Sequence, residues 1–205
     1  MKFAAFSALA LGLSAVIATS ASAASIPYPN VGTIAPTTPF VAASTGTVTG
    51  YFVGYEANDV DEVRLVDLTS GTTSPYFFVN NATAPGTMAN FGSVMQGDVL
   101  AFQIYNMTLG ELFSSDPSQS ADGVNHAYQT SFSGGTLNNV NYAAGTYTYF
   151  GMEDLPQGSS DFDYNDDEFL LTNIANGVTP EPGSLFLLGT GLLGVVGMQR
   201  RRFGF

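Results

Sequence analysis

One constellation of residues has the makings of a chemical site. Phe150-Gly151-Met152-Glu153-Asp154-Leu155 runs through a Pro156-Gln157-Gly158-Ser159-Ser160 turn into Asp161-Phe162-Asp163-Tyr164-Asn165-Asp166-Asp167-Glu168. Asp161, Asp163 and Asn165 alternate with aromatics, which in extended chain puts three oxygen-bearing side chains on one side and Phe162 and Tyr164 on the other. Hard cations such as Ca²⁺ take about six to eight oxygen ligands from carboxylates, amides and backbone carbonyls. Without a cation, so many acids repel one another. An EF-hand loop starting at Asp161 would need Gly at position 166 and Glu at 172, where the chain has Asp166 and Thr172. The spacing therefore predicts a calcium-type acidic loop between β-strands, with Asp154, Asp161, Asp163, Asn165 and Asp166 as candidate ligands. Glu153, Asp167 and Glu168 are weaker candidates, because neighbours in extended chain point apart. The competing reading is a solvated turn whose Asp and Asn side chains accept from backbone amides.

Other chemistry has little to stand on. His126 is the sole histidine and sits four residues from Asp122, a spacing that suits hydrogen bonding in a turn better than general-base catalysis. There is no Ser-His-Asp order, no His-rich zinc set and no Gly-rich phosphate loop. A carboxylate pair for glycoside hydrolysis would draw on Glu56, Glu62, Glu111 or Glu153, but nothing in their spacing marks any of them. The chain has no cysteine, which excludes disulfides, thiol nucleophiles and Cys-ligated zinc. No catalysis is expected. A secreted polysaccharide hydrolase is the weakest alternative.

The elements that must position the acidic loop read as all-β. β-branched and aromatic runs bounded by turn residues occur at 47–55, 63–68, 76–79, 99–105, 128–132, 146–150 and 168–174, the pattern of an antiparallel β-sandwich, jelly-roll-like, over residues 46–176. Leu100, Phe102 and Ile104 should share an inward face. The alternation Thr146-Tyr147-Thr148-Tyr149 predicts a strand with one face exposed, where Tyr147 and Tyr149 would serve as platforms for a carbohydrate-binding or adhesive module, the alternative function. Residues 24–45, rich in Pro and Thr, are expected to form a flexible leader or an edge-covering arm.

The two ends read as targeting segments. Met1-Lys2, an apolar stretch over 3–17 and Ala21-Ser22-Ala23 make a signal peptide over residues 1–23, with Ala21 and Ala23 marking the cut for signal peptidase. At the other end come Pro180-Glu181-Pro182, an uncharged apolar run over 184–198, and Arg200-Arg201-Arg202. The prolines stop structure from propagating. The apolar run reads as a single transmembrane helix, with the arginines held on the cytoplasmic side. Residues 177–205 resemble the PEP-CTERM sorting signal of Gram-negative bacteria. That resemblance implies export, transient anchoring in the inner membrane, and processing by an exosortase-type membrane enzyme. Of five basic residues only Arg64 lies between the targeting segments, against sixteen of the seventeen acids, a balance of about −15. Such a surface repels nucleic acid and anionic lipid and attracts cations.

The acidic motif carries a second resemblance. Glu153-Asp154-Leu155, a glycine turn and Asp161-x-Asp163-x-Asn165-Asp166, with Asp122-Gly123-Val124-Asn125-His126 upstream, resemble an exported bacterial domain of unknown function found in PEP-CTERM proteins and surface adhesins. The likeness covers the latter half of the mature region. It implies a β-sandwich with an acidic, calcium-binding edge and no established activity. Met152 stands where an aromatic or Ile/Val is common, and Asp167-Glu168 where apolar residues often open the strand. The expected protein is thus exported to the cell surface or extracellular matrix. Ca²⁺ is its structural ion and an extracellular polysaccharide a further expected partner.

Overall fold

The computed structural model describes residues 25–175. The signal peptide with Ala21 and Ala23, the Pro180-Glu181-Pro182 break, the apolar run and Arg200, Arg201 and Arg202 lie outside the described residues. Eleven strands are present among them: β1 Phe40–Val41, β2 Gly46–Gly54, β3 Asp61–Asp67, β4 Met88–Val94, β5 Val99–Asn106, β6 Glu111–Ser114, β7 Ala127–Phe132, β8 Gly135–Leu137, β9 Val140–Tyr142, β10 Tyr147–Met152 and β11 Asp167–Leu171. One sheet runs β1-β5-β3, with β6 also on β5, and the other runs β4-β2-β11-β10-β7. All pairings are antiparallel. No helix among the described residues is long and apolar enough to cross a membrane.

The sheets face one another across a phenylalanine-rich core. Leu100, Phe102 and Ile104 do share the inward face of β5, beside Val63 and Leu65 of β3, and meet Phe52, Phe150, Phe169 and Leu171 of the other sheet. Phe40, Phe102, Phe150 and Phe169 form a chain of ring contacts at 5.0, 4.8 and 4.8 Å between centroids, the spacing at which aromatic pairs add to simple area burial. Gly50 lets Phe91 in: a Cβ there would lie 2.4 Å from the ring.

Three expectations from sequence are corrected. The strand containing Thr146–Tyr149 is covered on both faces apart from its start at Thr146 and the half-buried Tyr147: Phe150 and Met152 enter the main core, while Tyr149 packs with Val53 and Leu170 beneath Leu137 and Tyr142. Those last two belong to the β8–β9 hairpin, whose two-residue turn, Asn138 and Asn139, has both φ values positive at 42° and 62°, as the hairpin-favoured I′ geometry requires. Residues 76–79 make only an isolated bridge, Phe77 to Val63, with Phe78 at φ 57°. Of the two forms expected for residues 24–45, a flexible leader or a covering arm, the described part is the arm and not loose: Tyr28 and Ala35 are buried with Phe162 and Tyr164, and Phe40 begins β1 inside the sandwich. That arm runs over the acidic segment and helps to fix it.

Candidate metal centre

The acidic segment is held against β10 by a glycine. Gly151 pairs with Glu168 of β11 and Tyr128 of β7, and a Cβ on it would fall 1.9 Å from the Tyr164 carbonyl oxygen. The chain is not extended here, as the alternation alone would suggest. Phe162 and Tyr164 adopt left-handed φ values of 49° and 61°, uncommon for bulky residues and sustained only by surrounding contacts. The alternation of faces nevertheless survives. Phe162 and Tyr164 point inward and are buried, while Asp161, Asp163 and Asn165 stay at least partly open to solvent. The Tyr164 hydroxyl accepts from Ala35 N–H at 2.7 Å, and Gly32 N–H donates to the Phe162 carbonyl at 3.2 Å. The arm thereby locks the segment from outside.

The five candidate ligands divide between two groups. In the outer one, Asp161 and Asp163 converge with Glu153, each offering a carboxylate oxygen, all within 4.8 Å of one another. Glu153 is fully buried and accepts from Ser160 Oγ and from Tyr164 N–H. Burial pushes it up to about 7, against the pull of those hydrogen bonds. Asp163 is raised by burial and by the neighbouring Asp161 charge. Asn165 turns its amide nitrogen to Asp163 Oδ2 at 2.8 Å and to Glu56 Oε2 at 3.3 Å, bracing the carboxylates.

Asp154 and Asp166 point the other way. Asp154 N–H donates to Asp166 Oδ2 at 3.1 Å, and the charges of this pair are felt by Asp61, the first residue of β3, and by Asp167, the first of β11. Burial pushes Asp61 and Asp154 up to about 7 and Asp166 to about 8, and raises Asp167 well above the usual carboxylate range. Two buried asparagines frame this inner group. Asn80 Nδ2 donates to Asp61 Oδ2 at 3.0 Å, and Asn106 Nδ2 donates to the Asp154 carbonyl at 2.9 Å and to Asp59 Oδ2 at 2.8 Å. Asp61 escaped the sequence reading because it lies far upstream with no local motif around it.

Residues 68–172 match the family described as Domain of unknown function (DUF4114). The chain belongs to the DUF4114 family. The match takes in β4 to β11 and the whole acidic segment, and stops short of β3 and of Asp59 and Asp61. Yet β2 sits between β4 and β11, and β3 pairs with β5, so the folded DUF4114 unit of this protein is larger than the matched stretch. Residues 178–202 match the PEP-CTERM protein-sorting motif. This is accordingly an exported, exosortase-sorted DUF4114 protein, anchored in the membrane before processing. No curated protein matches the chain.

Two other sequence candidates in the DUF4114 domain have definite places. His126 is fully buried, packs on Phe113 at 4.5 Å between ring centroids, and lies 3.1 Å from both Asp122 oxygens through Nε2. Asp122 also accepts from Gln157 N–H at 2.8 Å and Val124 N–H at 3.2 Å, so the pair ties a turn to the loop after β10. Burial lowers the His126 pKa despite Asp122, which favours the neutral ring. Tyr149 offers no platform. It is fully buried and donates its hydroxyl to Glu168 Oε1.

Proposed function

We propose that this protein is a non-catalytic component of the cell surface or extracellular matrix, whose β-sandwich is stabilised by calcium at the outer acidic group. The observation that supports this reading is the convergence of Glu153, Asp161 and Asp163 from both sides of the Ser160 turn, braced by Asn165. All the donors are oxygens, which suits a hard cation. Calcium at that point would staple the segment after β10 to the segment before β11 and neutralise acids that repel one another in its absence. The measurement is the melting temperature of the full chain in EDTA and in millimolar Ca²⁺, beside an Asp161→Asn/Asp163→Asn variant. Calcium should raise it by about 5–10 °C at ~100-fold over Kd, and the variant should lose most of that rise. Equal melting in both buffers would sink the reading. So would polysaccharide turnover abolished by Glu153→Gln.

The adhesive alternative retains one support. Tyr147 is half-buried and clusters with Tyr51, Tyr142 and Phe132 on the outer face of the larger sheet. Glycan binding lost in Tyr147→Ala would favour it over a purely structural role.

A further inference from the structure

The inner group has features the outer group lacks. Asp61 and Asp167 are 0% and 1% exposed. Both carboxylate oxygens of Asp167 have no hydrogen-bond partner, and Asp61 Oδ1 has no amide or hydroxyl donor, although the Asp61 and Asp154 carboxyls meet at hydrogen-bond range. A buried polar atom left without a donor is costly, and a buried carboxylate without a counter-charge far more so. No basic side chain supplies one. The single Lys or Arg among the described residues, Arg64, lies over the Tyr76 ring at 4.7 Å and donates to Gln103 Oε1 at 2.8 Å.

We propose that Asp61, Asp154, Asp166 and Asp167 form a second calcium site, separate from the Glu153–Asp161–Asp163 group, that ties the two sheets together. The groups come from different layers. Asp61 opens β3 and pairs with Asn106 of β5, whereas Asp167 opens β11 and pairs with Met152 of β10. An ion between them bridges the sheets at the end of the sandwich where these strands begin. The surrounding donors orient the site without filling it. Asn80 holds one Asp61 oxygen and leaves Oδ1 without an amide or hydroxyl donor, and Asp154 N–H holds one Asp166 oxygen. Neither His nor Cys takes part, which disfavours zinc. Mg²⁺ dehydrates reluctantly and keeps several waters, so a site this buried suits Ca²⁺ better. Burial and mutual repulsion also raise these carboxyls, and a bound cation would oppose both effects. The inference shares divalent binding with the proposed function but none of its ligands.

The test is calcium stoichiometry by calorimetry on the purified, chelator-treated full chain, beside Asp61→Asn/Asp167→Asn and Asp161→Asn/Asp163→Asn. The wild type should bind about two equivalents and each double variant about one. Without calcium, Asp61→Asn/Asp167→Asn should melt at or above the wild-type temperature, since it removes buried charge, and its calcium-dependent rise should shrink. A single Asp61→Asn change serves if the double variant does not melt cooperatively. Undiminished stoichiometry in the inner variants would overturn the second site. One equivalent, lost only with Asp161→Asn/Asp163→Asn, would overturn it while leaving the outer site standing. One equivalent lost only with the inner variants would support it and sink the outer site. No binding at all would remove both.

Discussion

At Gly151 a single missing methyl group sets the position of the acidic segment. The Tyr164 carbonyl rests where a side chain would start, 1.9 Å from an added Cβ, and backbone cannot rotate away as a side chain can. Gly151→Ala is expected to cost about 3 kcal/mol and to weaken calcium-dependent stabilisation at the same time, seen as a lower melting temperature in EDTA and a smaller rise with Ca²⁺. The carboxyls add a pH signature. Asp61, Asp154 and Glu153 are raised by burial to about 7 and Asp166 to about 8, from ordinary values of 3.8 for Asp and 4.5 for Glu. Between those limits the native state holds protons that the unfolded chain has released, so cation-free stability falls as pH rises through this window. In EDTA the melting temperature should be higher at pH 5.5 than at pH 8, and calcium should lift the pH 8 value most. A rise with pH in EDTA would contradict this. At this scale the sequence was partly legible. Neighbours do point apart, but Glu153 and Asp154 point apart into two acidic groups, and the rule that ranked Glu153 lower did not show that it converges with Asp161 and Asp163. Alternation around Phe162 and Tyr164 came through even though the backbone is left-handed there.

Among the elements, the arm over residues 25–39 changes the picture most. It covers the acidic segment through Tyr28 and Ala35, and its Ala35 N–H donates to the Tyr164 hydroxyl in a buried setting. Tyr164→Phe leaves that N–H without its acceptor and is expected to cost about 1–3 kcal/mol. Faster proteolysis of the arm, with the sandwich core still protected, is the expected readout. Pro and Thr content made this segment look loose because local composition says nothing about a surface waiting elsewhere in the chain. The same holds for β10. Its alternation signalled a half-exposed strand, and only the β8–β9 hairpin, itself too short to stand out, makes Tyr149 a core residue. Strands with strong β-branched and aromatic runs, such as β2, β3 and β5, were readable within a residue or two, and β11 at its start, though it ends three residues earlier than expected. By contrast β4, with Gly92 and Ser93 inside it, was not.

On the scale of the molecule, the family match and the folded unit differ. Residues 68–172 lack β2, which joins β4 to β11, and β3, which closes β5 on one side. A fragment limited to 68–172 should therefore show no cooperative thermal transition, whereas one covering 25–175 should melt in a single step by circular dichroism. Cooperative melting of the shorter fragment would mean that the matched stretch is a folding unit by itself.

The last described residues lie at the end of the sandwich opposite the Glu153–Asp161–Asp163 and Asp61–Asp167 groups, beside Val41 and Asp98. β11 carries the backbone from Asp167 to Leu171, and beyond a bend at Asn173, with φ at 62°, the Ala175 N–H donates to the Val41 carbonyl at 2.8 Å. Residues 176–179 then precede Pro180. The sorting motif at residues 178–202 therefore follows directly on the end of the sandwich opposite the Glu153 and Asp167 groups. The processing enzyme, for its part, must work within a few residues of a finished fold.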